Sequence, residues 1–102
     1  MKKYRLSSEA VLDIEDGIIY YNGEVEGLGI GFFDEFKKTL NLIRSFPEIG
    51  VFHLQQIRKL SMHRFRHVIY YLYENDTIHV ISVIHETRGL KYHSGRLKGL
   101  SG

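Results

Sequence analysis

Cysteine is absent from this chain. That excludes a disulfide framework, a thiolate metal site and a cysteine nucleophile, and it agrees with a reducing compartment. Proline occurs once, at Pro47. No apolar run approaches the roughly 18–20 residues that a membrane span needs. The opening Met1-Lys2-Lys3-Tyr4-Arg5 leads into a polar segment, not into the apolar stretch of a signal peptide. The expectation is a soluble, cytoplasmic protein with no membrane partner. Gly27, Gly29 and Gly31 cluster, but no Lys-Ser/Thr pair follows them and no apolar strand precedes them, which argues against a phosphate-binding loop. The histidines lack metal-ligand spacing, and no serine stands on a recognisable nucleophile elbow. Neither a metal nor a cofactor is expected.

What is present points to one domain spanning residues 1–102, with 43% hydrophobic and 25% charged residues. The net charge of +2 is unevenly placed. Residues 53–67 carry Arg58, Lys59, Arg64, Arg66 and three histidines with no acid. A basic tail from about residue 88 adds Arg88, Lys91, Arg96 and Lys98, again without an acid. Acids concentrate between Glu9 and Glu35. This asymmetry suggests a surface for a polyanion or an acidic partner on the C-terminal half; a solvated basic face is the plainer reading.

Hydrophobic periodicity orders the elements. Lys3 to Ser7 alternates and reads as a strand. Ser7 or Ser8 can cap a following helix whose apolar stripe is Val11, Ile14, Ile18, Tyr21 and Val25, with Gly17 a weak point inside it. The three glycines then read as the turn of a helical hairpin. Phe33, Phe36, Leu40 and Ile43 form a second stripe, with Asp34 and Glu35 in its first turn and Pro47 ending it at Phe46. After a loop, strands are predicted over Ile57 to Ser61, Arg64 to Glu74 and Thr77 to His85, the last two joined at Asn75-Asp76. The predicted class is α+β: an N-terminal strand, a helical hairpin and a three-stranded antiparallel meander. Together they give a four-stranded sheet with the helices on one face.

If Asn75 and Asp76 form a two-residue turn, Leu72 opposes His79, Tyr70 opposes Ile81, Val68 opposes Val83 and Arg66 opposes His85. One sheet face would then start apolar and end polar. Lys59 from the preceding strand and Arg64 on the same strand complete a cationic cluster of Lys59, Arg64, Arg66 and His85, with Arg88 and Tyr92 downstream. Two uses are open to Arg66: an ion pair with Glu86 or a helix acid, or a cation facing an anionic ligand. The crowding of Lys59, Arg64 and Arg66 favours the second. Tyr70, Tyr71 and Tyr73 read as packing residues.

Together these segments resemble the ParE/RelE toxin superfamily of type II toxin–antitoxin, or plasmid stabilisation, systems. YRLSSEAVLDIEDGIIYY is similar to its first strand and helix, and FFDEFKKTLNLIRSFPEIG to its second helix with the Pro-Glu-x-Gly turn. IRKLSMHRFRHVIYYLYENDTIHVISVIHETR resembles its hairpin, which ends in a histidine and a basic tail. The resemblance implies a growth-inhibiting toxin, a cognate antitoxin bound to it as a hetero-oligomer, and a four-stranded antiparallel sheet against the helices. RelE-like members cut mRNA on the ribosome, whereas ParE-like members poison DNA gyrase. On the RelE pattern, Lys59, Arg66 and Tyr92 match catalytic positions and His85 is a further candidate. Glu86 replaces a catalytic arginine, however, and Ile57 replaces a lysine. A carboxylate is unfavourable where positive charge must stabilise a developing phosphorane. The favoured expectation is therefore a ParE-like toxin that contacts its target through Arg58, Arg64, Arg88 and Lys91. The alternative is a ribosome-dependent RNase using Lys59, Arg66, His85 and Tyr92.

Overall fold

The computed structural model describes residues 1–88. The elements run β1 (Lys3–Leu6), α1 (Ser8–Glu24), α2 (Leu28–Ser45), β2 (Val51–Leu54), β3 (Ile57–Ser61), β4 (His67–Glu74) and β5 (Thr77–His85), followed by a 3-10 turn at Glu86–Arg88. Ser7, not Ser8, caps α1: its side-chain oxygen accepts the Ala10 amide at 3.0 Å. The buried stripe of α1 is Ala10, Ile14 and Gly17, with Ile18 and Tyr21 packed beside it. The expected Val11 and Val25 are exposed.

Gly17 is not the weak point its helix propensity suggests. A Cβ there would stand 2.5 Å from Cε2 of Phe32. The glycine lets α1 close onto the buried ring of α2. Of the glycine cluster only Gly27, at φ 86, makes the left-handed turn. Gly29 and Gly31 lie inside α2, which places Asp34 and Glu35 beyond its first turn. The core stripe of α2 accordingly uses Phe32, with Phe36, Leu40 and Ile43, and leaves Phe33 exposed. The helix ends at Ser45, just before Pro47, as predicted.

The sheet order is β1-β5-β4-β3-β2. The α+β class and the helical layer on one face are as expected, but the sheet has five strands and is mixed. β1 runs parallel to β5, from Lys3 opposite Thr77 to Leu6 opposite Val80. The added strand is β2, expected as loop; it pairs antiparallel with β3 through a Gln55-Gln56 turn in which Gln55 adopts φ 50. Ile69, Tyr71, Ile78, Val80 and Val83 meet the helices in the main core. Tyr71 is fully buried, donates to the Pro47 carbonyl at 2.8 Å and accepts from the Gly50 amide at 2.9 Å, which ties the end of α2 to the sheet. The opposite sheet face carries a second cluster, formed by Ile57, Val68, Tyr70, Ile81 and Ile84.

The β4–β5 hairpin turns at Asn75 and Asp76, with φ 52 and 61, as the sequence predicts. Leu72 opposes His79. Beyond Tyr71 the register slips by one, because Ile81 is bulged out of the ladder. Val68 therefore opposes Ile84, and His67 rather than Arg66 opposes His85. The groups that hold this stretch of β5 come from the far end of the chain. Ser7 donates its hydroxyl to the Ile81 carbonyl at 2.8 Å, and Asp13 accepts the Val83 amide at 2.9 Å. Where β1 ends, the start of α1 supplies the missing edge partners.

Candidate target-binding face

A one-residue slip sends every later side chain of a strand to the other face. This separates the predicted cationic cluster. Lys59 pairs with Tyr70 and stays on the face away from the helices. Arg66 follows the parity of Val68 and Tyr70 and lies on that side too. His85 does not: it sits opposite His67, with the two rings 5.5 Å apart. His67 packs on Tyr21 and Phe32 of the helical layer. His85 is thus a helix-side residue, and its Nδ1 is occupied by Thr87, whose hydroxyl lies 2.8 Å away and whose amide lies 3.2 Å away.

Arg66 takes the structural alternative. Its Nη2 lies 2.5 Å from Oε1 of Glu86 and its Nε donates to the same oxygen at 2.8 Å. The Glu86 amide also donates to the Arg66 carbonyl at 2.8 Å. The acid missing from the expected cluster is therefore Glu86, brought alongside by the bulge. Arg64 is not on a strand. It lies in the bend before β4 at φ 73, exposed, with its guanidinium 5.5 Å from the Phe65 ring. Arg58 braces the chain itself, donating to the Gly50 carbonyl at 2.8 Å and to Glu48 at 3.2 Å while lying over Phe52. Lys91 and Tyr92 lie outside the described residues.

The sheet face away from the helices holds an open groove lined by His53, Lys59, Ser61, Val68, Tyr70 and Glu86, among others. His53 stacks edge-on to Tyr70 at 5.1 Å. Partial burial and the Lys59 charge both lower the pKa of His53, so the imidazole is neutral at physiological pH. Among the described residues, Lys59 has no acidic partner in this groove. The groove thus offers one uncompensated cation, one neutral imidazole and one carboxylate already shared with Arg66.

A second, smaller cleft lies on the helix side, between α1 and the end of β5. Asp13, Asp16, Tyr20, His67, His85 and Arg88 are among its lining residues. Arg88, expected at the target-binding face, lies here. His67 is the most perturbed group described: burial, then the neighbouring His85 charge, push its pKa from 6.5 down to about 4. Its Nδ1 is 3.1 Å from the Tyr21 hydroxyl. In the sequence His67 stands out only as a histidine without metal-ligand spacing, and Asp13 carries no motif. Their signal was positional: a histidine in an apolar strand, and an acid on the buried side of a helix. Among the described residues no cluster of three or more metal-binding side chains occurs. No helix of the described residues is long and apolar enough to cross a membrane.

No family model matches the sequence, and no curated protein matches it. Solved structures do match. The chromosomal ParDE toxin–antitoxin system of P. aeruginosa superposes with TM-score 0.74 at 10% identity, over 83% of this chain and 96% of that one. The chain has the ParE/RelE toxin fold. The E. coli RelBE toxin–antitoxin complex agrees, with TM-score 0.65 at 16% identity over 83% of this chain and 96% of that chain. The isolated E. coli RelE toxin gives 0.64 at 16% identity over 96% and 98%. At such identities the likeness carries the ParE/RelE fold and not the roles of individual residues.

Proposed function

We propose that this protein is the toxin of a bacterial type II toxin–antitoxin pair. In this reading it is ParE-like: it arrests growth by binding a macromolecular target such as DNA gyrase, and a cognate antitoxin neutralises it in the cytoplasm. The fold supports the toxin role, since the similar structures are a ParDE system, a RelBE complex and a RelE toxin. The observation that carries the ParE-like choice is the Arg66–Glu86 ion pair. RNA cleavage by 2′-hydroxyl attack needs concentrated positive charge around the phosphate. Here Arg66 is neutralised and His85 faces the helices, so Lys59 stands alone among the described members of the RNase set. Lys59 and Arg64 then serve as target contacts, with Lys91 a further candidate beyond the described residues.

The ribosome-dependent RNase reading, with Lys59, Arg66, His85 and Tyr92 as its machinery, is favoured by one observation: isolated RelE matches 96% of this chain. Expression of the chain alone should slow bacterial growth, and co-expression with its operon partner should restore it. Normal growth at high soluble expression would remove the toxin reading altogether. The antitoxin segment that covers the Lys59 and Arg64 side is acidic, so its affinity should fall as salt rises.

A further inference from the structure

Between Arg5 and Lys37 the chain has no lysine or arginine, yet it holds eight of its twelve acidic residues. This segment contains all of α1. The outward side of α1 is not simply solvated. Leu12 is 58% exposed, Ile19 70% and Tyr20 53%. Glu15 and Asp16 stand between them and are exposed, with no ion-pair partner among the described residues. Gly23, one turn on from Ile19, meets nothing within 4 Å on its outer side and leaves the surface flat. Leu12 and Ile19 are seven residues apart, two turns or about 10.5 Å along the axis. That is the spacing of one seam of a helix–helix contact.

We infer that the outward face of α1 is a second protein-docking surface, separate from the basic sheet side, and that it takes a lysine- and arginine-rich amphipathic helix of a partner protein. Charge decides the occupant. Nucleic acid and an anionic lipid surface are both repelled by a face of this sign. A second copy docked through the same face would set Glu15 and Asp16 against their own equivalents. A purely acidic partner, suited to Lys59 and Arg64, is excluded here for the same reason. A cationic helix fits: its apolar seam covers Leu12, Ile19 and the Tyr20 ring, and its flanking cations meet Glu15 and Asp16. Among the described residues, Arg88 is the one arginine or lysine lining the cleft shared by Asp16 and Tyr20. It sets the border of the surface toward β5. The inference does not depend on the toxin reading, because it uses only the shape and charge of α1.

The test uses the full chain and two synthetic peptides of about 18 residues, long enough to hold a helix. One carries leucines on a seven-residue seam flanked by lysine and arginine; the other is a scramble of the same composition. Binding is read by fluorescence anisotropy, and the contacted residues by amide chemical shifts. The amphipathic peptide should bind at least about tenfold more tightly than its scramble. Its shifts should centre on Leu12, Asp16, Ile19 and Tyr20. The Glu15→Lys/Asp16→Lys double variant, altered only at exposed positions, should melt like the parent and lose about tenfold in affinity. Equal binding of the two peptides, no binding of either, shifts centred on β3 and β4, or an unweakened double variant would each overturn the inference.

Discussion

Acidification should cost this fold a definite amount of stability through one side chain. His67 is 7% exposed, packed between Tyr21 and Phe32, and its pKa is pushed down to about 4. Burial is the main cause; the charge of His85 adds to it and Asp13 opposes it. An unfolded histidine titrates near 6.5. The folded state therefore binds this proton less readily than the unfolded state. Its contribution is fully present above pH 6.5, declines as pH falls through the window from 6.5 to 4, and is gone below about 4. At 1.36 kcal/mol per pKa unit the loss is about 3 kcal/mol. A domain of this size has roughly 5–15 kcal/mol in all, so the melting temperature should drop by roughly 12–20 °C across the window. The control is His67→Phe, which keeps the ring stacking and removes the titration, though it also loses the Tyr21 hydrogen bond at every pH. Unfolding free energies from urea titrations between pH 7 and 4 should fall about 3 kcal/mol further for the wild type than for the variant. Parallel curves, or an imidazole proton resonance of His67 that titrates near 6.5, would refute the reasoning.

Three further outcomes follow from the geometry. Arg66→Ala should lower stability by no more than about 1 kcal/mol, because its pair with Glu86 is 73% and 41% exposed; a loss near 3 kcal/mol in a thermal melt would show that the pair is effectively buried. Gly17→Ala should destabilise by about 1–3 kcal/mol although alanine is the better helix former, because the new methyl meets Phe32; a gain in melting temperature would mean the helices part without cost. Asp13→Ala should cost about 1–3 kcal/mol by leaving the Val83 amide without its acceptor, and hydrogen exchange at Val83 should rise by a matching factor; unchanged protection would show that the ladder holds without α1.

The local signals in the sequence were enough for the two helices, for every strand but β2 and for the Asn75-Asp76 turn. They were not enough for register. The bulge at Ile81 is fixed by Ser7 and Asp13, about seventy residues away, and no local pattern announces it. That single slip moved His85 to the helix side and put Glu86 beside Arg66, which reversed the meaning of both. The ion pair itself was one of two options visible in the sequence; choosing between them needed the register. β2 escaped notice because its turn is Gln-Gln, a pair with no special tolerance of positive φ. The parallel pairing of β1 with β5 is non-local in the same way. Phe32 and Phe33 were exchanged because a helix phase read from two adjacent aromatics depends on where the helix starts, and α2 starts among its glycines.

The claim that Arg66 is neutralised in a binding-type toxin is tested most directly by giving the purified protein both substrates. One reaction holds DNA gyrase and relaxed plasmid; the other holds a reconstituted translation system with mRNA on the ribosome. Blocked supercoiling and intact mRNA are the expected outcome. Cleaved mRNA beside normal supercoiling would contradict the claim and return Lys59 and Arg66 to a catalytic role.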